Sequence, residues 1–150
     1  MLAFDSVATG IELIGCTILN LNIENNIVGL LPDTEKSFGL NVFKPQIYED
    51  GGYKAQARIE IVITIKQEGP RETNISLLLE GAFKSTSETT KEEFMQLVAI
   101  NGVAALIGIA RGKIESISGS IYNTGKIVIP FVNVVEYYKK VEKLLDEEST

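Results

Sequence analysis

The stretch that decides the fold runs from Phe94 to Ala110, FMQLVAINGVAALIGIA, 17 residues without a charge in a chain of net charge −6. A helix-start signal stands just before it. The Thr90 hydroxyl is placed to accept from an early backbone N–H while Glu93 reaches back, the reciprocal pattern of a capping box. From there the apolar period is about 3.6, which predicts a helix from Lys91 to about Ser118. A helix that is apolar nearly all round is buried on more than one side. One side belongs to the rest of this chain, and the other needs a cover. Ala104, Gly108 and Gly112 recur every four residues. Such a row lets another backbone approach closely, either a neighbouring subunit's or the chain's own sheet. Gly102 and Gly108 each weaken a helix by about 1 kcal/mol relative to Ala, so a bend is expected. The uncharged run falls short of the ~20 residues that span a bilayer and carries Gln96 and Asn101, so it reads as a buried helix.

Upstream of residue 90 the period is two. In residues 11–24, Leu19, Leu21 and Ile23 alternate with Asn20, Asn22 and Glu24, a half-buried strand. Its first half places Ile14, Cys16 and Ile18 on the opposite face. A connection from Asn25 to Lys36 holds Leu30, Leu31 and Pro32, and long irregular connections are often functional or mobile. Residues 38–50 read as a strand weakened by Pro45, which cannot donate to a ladder. Asp50-Gly51-Gly52 is a turn, because Gly tolerates the positive φ of a tight hairpin. In the cleanest strand, Ala57, Ile59, Ile61, Ile63 and Ile65 alternate with Arg58, Glu60, Val62, Thr64 and Lys66. A second turn at 68–71 leads to a strand over 73–84, with Ile75, Leu77 and Leu79 on one face.

After the long helix, residues 119–130 read as a loop and a short extended segment. Asn133 then caps a second helix, with Glu136 as its partner and an apolar stripe of Val134, Tyr137, Tyr138, Val141, Leu144 and Leu145. The expected fold class is α+β: a four-stranded antiparallel sheet with two C-terminal helices packed on one face, in one domain over 1–150. Residues 1–9 and 146–150 are expected to be flexible ends.

Composition excludes most chemistry. Histidine is absent, which removes the commonest general base, the Ser-His and Cys-His pairs and most transition-metal sites. Cys16 is the only cysteine, so no intramolecular disulfide forms and a reducing compartment fits. Excess acid argues against nucleic acid as a partner. Glu35, Glu49, Asp50 and Glu68 lie in turns and loops, where carboxylates are usually only solvated, and no Gly-rich loop has phosphate-binding spacing. Arg111 closes the apolar run, and near a helix C-terminus its charge interacts favourably with the dipole. The N-terminal MLAFDSVATG has no basic region followed by an apolar stretch, so the expectation is a cytoplasmic protein without a secretory signal. No catalytic residue, cofactor or metal is expected.

What remains is surplus apolar surface. Ile14, Cys16, Ile18, Val62 and Leu78 fall on the sheet face that would be polar if the chain's own helices were its only cover. Large apolar patches on soluble proteins mark interfaces or binding grooves. Self-association accounts for the surplus, and so does binding of an extended apolar polypeptide.

In layout, from about residue 11 to 143, the chain resembles the SecB-like export chaperones. NGVAALIGIARGKIESIS looks like that family's long helix, with Ala110-Arg111 at its Ala-Arg pair. IVIPFVN looks like the entry into its last helix, at Pro130 and Asn133. LNLNIEN resembles its first strand, and Phe43-Lys44-Pro45 its aromatic-x-Pro. Where family members carry prolines in the long helix, this chain has Val103 and Gly108. Asn20 stands where an acidic residue is usual, although Glu24 is kept.

The resemblance implies a homotetramer, a dimer of dimers with the long helices packed between dimers. It also implies grooves that hold unfolded polypeptide clients without ATP. The interface residues would be Val103, Ala104, Ile107, Gly108 and Gly112. The peptide-binding residues would come from Ile14, Cys16, Ile18, Leu30, Leu31, Phe43, Val62 and Leu78. The family's contact with the SecA motor would fall at Glu24, and the change at Asn20 weakens that inference. An alternative is an assembly module that uses the fold to bind one specific partner.

Overall fold

The computed structural model describes residues 1–86 and 88–149. Among these residues five strands form one antiparallel sheet: β1 (Ile11–Asn25), β2 (Glu35–Val42), β3 (Gln46–Glu49), β4 (Tyr53–Lys66) and β5 (Glu72–Ser85). The order across it is β1-β5-β4-β2, with β3 pairing the other end of β4. The strand expected over 38–50 is therefore two strands. Both lie along β4, and the break falls at Phe43–Pro45, where proline supplies no N–H.

The centre of the sheet follows the alternation read from the sequence. Ile59, Ile61 and Ile63 stand opposite Leu79, Leu77 and Ile75, and all six are buried. Arg58, Val62, Glu80 and Leu78 point to the other face. Asp50 N–H donates to the Gly52 carbonyl at 2.9 Å, with Gly51 and Gly52 at φ +64° and +133° closing the hairpin.

β1 departs from that alternation. Its fifteen residues carry only thirteen ladder partners, because register shifts fall between Leu13 and Gly15 and between Ile18 and Asn20. Ile14 and Leu19 are the extra residues of two bulges. Each bulge moves everything N-terminal to it by one position, which reverses its face. Cys16 and Ile18 consequently stand opposite Gly81 and Leu79, on the same face as Leu21 and Ile23. The expectation that they occupy the far face is overturned.

The long helix is continuous from Lys91 to Ile121: α1 (Lys91–Leu97), a π turn (Val98–Gly102) and α2 (Val103–Ile121). Its capping box is formed by Thr90 and Glu93. Phe94, Val98, Gly102, Val103, Leu106, Ile107, Ala110, Ile114 and Ser118 are buried along it. Steps of four residues drift about 40° each around an α-helix, and the wider π turn takes back part of that drift so that the stripe stays on the sheet. The expected bend is this π turn. The helix sits close, since a Cβ on Gly81 would come 2.6 Å from a Leu106 methyl. By length and composition alone this helix is apolar enough to cross a membrane, yet here its buried stripe packs on the sheet.

Beyond it an extended return segment runs back along α2. Ile127 N–H donates to the Ser118 hydroxyl at 2.7 Å, and Ile127 and Ile129 point into the core. A final helix, α3 (Val134–Glu148), starts at Asn133, whose side chain accepts from Glu136 N–H at 3.0 Å. It continues through residues 146–148, so those residues are helical. Of its apolar stripe only Val134 is buried, while Leu144 and Leu145 are exposed.

The connection between β1 and β2 is pinned. Ile27 is buried, Leu30 N–H donates to the Thr124 carbonyl, and Asn123 N–H donates to the Val28 carbonyl. The Gln67 side chain accepts from Leu31 N–H at 2.9 Å and from the Thr34 hydroxyl at 2.9 Å. Below it, Tyr122 hydroxyl donates to buried Thr73, which donates to Asn25, both at 2.6 Å, so the buried hydroxyls are satisfied.

Candidate functional site: an apolar groove at the edge of the sheet

β4 is flanked by strands on both edges, but β2 is an outer strand, and its inner side chains meet the helix layer only in part. Phe38 and Leu40 are half-buried. Between them and the return segment lies an apolar groove of about 310 Å³. Ile61 and Ile107 line it from the sheet and from α2, and Ile129, Pro130 and Val132 from the far wall. Concave apolar sites of this size suit a short run of apolar side chains.

Polar tethers hold the groove's surroundings. Arg111 Nε donates to the Ile129 carbonyl at 2.9 Å and Nη2 to the Pro130 carbonyl at 3.2 Å. Its guanidinium lies 4.2 Å from the centroid of the Phe131 ring. The helix runs ten residues past Arg111 to Ile121, so this side chain is a mid-helix clamp and not the helix-terminal charge expected from the sequence. Two neighbouring tyrosines dock α3. Tyr137 hydroxyl accepts from Val42 N–H at 3.0 Å, at the end of β2. Tyr138 hydroxyl donates to the Ala99 carbonyl at 2.8 Å, inside the π turn. Burial pushes the Tyr138 phenol above its ordinary value, and neighbouring Tyr137 adds to the shift.

The peptide-binding residues expected from the sequence do not converge on this groove. Phe43 and Leu78 line a separate depression of about 410 Å³ on the outer sheet face, flanked by Lys44, Gln56 and Arg58. Val62 lies diagonally beside Leu78 on that face. Leu30 and Leu31 belong to the pinned connection. Ile14 is exposed in its bulge, while Cys16 and Ile18 face the helix layer. Burial pushes the Cys16 thiol up, opposed by the Lys113 ammonium of α2. Glu24 is exposed on the outer face, opposite Asn74.

The helix row divides as well. Val103 and Ile107 are buried in the chain's own core, and Ile107 also lines the groove. Ala104, Gly108 and Gly112 stay exposed, and a Cβ on either glycine would meet nothing. Of the groove residues, Ile107 was singled out only for the subunit interface and Pro130 only for the entry into the last helix, while Phe38, Leu40, Ile129 and Val132 were missed. IVIPFVN and the alternating Phe38 and Leu40 were visible, but nothing local joins them.

The architecture defines a class: an α+β fold in which one long helix covers half a sheet and leaves an apolar trough along an outer strand. Its fold is SecB-like. No protein-family model matches the sequence, and no curated protein matches it. Among solved structures the chain is similar to the SecB-like chaperone Rv1957 of Mycobacterium tuberculosis, in complex with a ChAD peptide from the Rv1956 HigA1 antitoxin. The match has a TM-score of 0.60 at 15% identity and covers 84% of this chain and 93% of that one. At that identity the likeness establishes the fold.

Proposed function

We propose that this protein is an ATP-independent chaperone that holds extended, non-native polypeptide in the groove between β2 and the return segment. The observation that carries the reading is the groove itself, an apolar trough bounded by Leu40 and Ile107, open beside an outer strand. The SecB-like neighbour, solved with a peptide from a partner protein, supports a polypeptide ligand. The test is aggregation of reduced insulin followed by light scattering. Suppression at sub-stoichiometric oligomer is expected, and no suppression at excess sinks the proposal.

A second reading follows from the neighbour's ligand, which comes from one antitoxin: the groove serves one dedicated partner. A pull-down yielding a single partner, with no general suppression of aggregation, selects it. In both readings the protein works as a cytoplasmic homo-oligomer, a tetramer built as a dimer of dimers, with the Ala104–Gly108–Gly112 row packed between subunits. Gly108→Leu fits within the chain and improves helix propensity. It is therefore expected to leave the subunit folded and shift the particle to a smaller mass. Unchanged mass by light scattering removes the row from the interface. We assign Glu24 no translocase contact. On its sheet face Arg58 pairs with Glu80 at 2.6 Å and Lys84 with Glu12 at 3.4 Å, and neither pair involves Glu24.

A further inference from the structure

The far wall of the groove is not a regular element. Residues 127–132 form neither helix nor strand, and only their first half is held by packing, through Ile127 and Ile129. Between those anchors and the start of α3, one side chain reaches the outer half. Arg111 contacts three successive residues: the Ile129 carbonyl, the Pro130 carbonyl and the Phe131 ring. Phe131 is 92% exposed, so its ring contributes little to the core; its contact is with the guanidinium. Pro130 lines the groove directly and offers only its carbonyl for anchoring.

We infer that Arg111 is the positioning residue of the binding groove, setting the distance of the Pro130–Val132 wall from β2 and so the side chains the groove admits. This rests on the reading of the groove as the polypeptide site. The chemistry calls for arginine. A planar fork donates to two neighbouring carbonyls while its face stacks on a ring, which an ammonium cannot do together. The wall is thus fixed by a few polar contacts that can be altered without disturbing the core.

The experiment measures anisotropy of fluorescein-labelled, reduced and carboxymethylated α-lactalbumin, well below the thermal midpoint of every variant. Arg111→Met keeps the apolar stem and is expected to weaken binding roughly tenfold, as charge-assisted hydrogen bonds are lost. Arg111→Lys is expected to recover less than half of that loss on a logarithmic scale, and Phe131→Ala to weaken binding about threefold. Amide exchange at residues 128–131 should quicken in free Arg111→Met while α2 stays protected, a readout that general destabilisation would not give. Wild-type affinity in Arg111→Met, or full recovery with lysine, overturns the inference. If Arg111→Met does not fold, Phe131→Ala decides, and wild-type affinity there overturns it too. Leu40→Asp on the opposite wall separates the two levels. Should it abolish binding while Arg111→Met does not, the groove stands and the positioning role falls. A wild-type protein that does not bind the probe sinks both.

Discussion

The long helix treats the two halves of the sheet differently. Over β4 and β5 it closes the interior by apolar interlock: Leu106 seats against Gly81, and Ile59, Ile61, Leu77 and Leu79 are fully covered or nearly so. Over β2 the same layer stops short, and what faces Phe38 and Leu40 is a trough whose far wall is tied down by Arg111 and whose end is marked by Tyr137. Packing is short-ranged and needs complementary shapes on both sides, so it leaves no room for a guest. Hydrogen bonds across a gap fix a wall in place and keep the space beside it open. This helix layer uses both methods.

The sharpest way to break this contrast is to shorten one leucine on each side. Leu77→Ala removes a fully buried side chain from the closed half and is expected to cost about 2–5 kcal/mol by urea unfolding. Leu40→Ala on the half-buried groove strand should cost about 1 kcal/mol while weakening client binding. Equal losses of stability would mean that the groove is part of the core. A finer probe is Tyr138→Phe, which deletes the hydroxyl bound to the Ala99 carbonyl and is expected to cost about 1 kcal/mol. Faster amide exchange confined to α3 and the π turn would locate the loss.

The smallest effect is with pH. Cys16, Tyr122 and Tyr138 all have their pKa raised by burial above ordinary values of 9.0 for the thiol and 10.0 for the phenols. For Tyr122 the hydrogen bond with Thr73 opposes the shift. The folded chain then holds these protons more tightly than the unfolded chain. Their contribution is complete below the unfolded values and is lost as pH rises through the folded ones. Thermal midpoints should therefore fall above about pH 9, first through Cys16 and then through the tyrosines. A midpoint that rises there would contradict the assignment.

How much of this could be read from the chain depends on range. The Thr90–Glu93 box and the Asn133–Glu136 start are legible because capping is settled within four residues. The faces of β4 are legible because that strand keeps one register throughout. The first half of β1 is not, because alternation only counts parity and each bulge changes the count. Arg111 was misread for a related reason: its partners lie on a segment eighteen residues further on. The groove is built from β2, α2 and the return segment, which no local pattern connects. The fold class and its SecB-like layout were therefore visible, and the trough was not.

The two bulges in β1 have a consequence for how the gene can change. Thirteen ladder positions are spelled with fifteen residues, so the strand carries two spare codons, those of Ile14 and Leu19. Loss of either in frame joins neighbours that already face consecutive partners on β5, Leu13 to Gly15 or Ile18 to Asn20, and every other side chain keeps its side. Loss of Thr17, an ordinary ladder residue, has no such slack and turns the residues before it over until Ile14 can be reabsorbed. The strand that looks least regular is thus the one with built-in tolerance for length variation, at two addresses only.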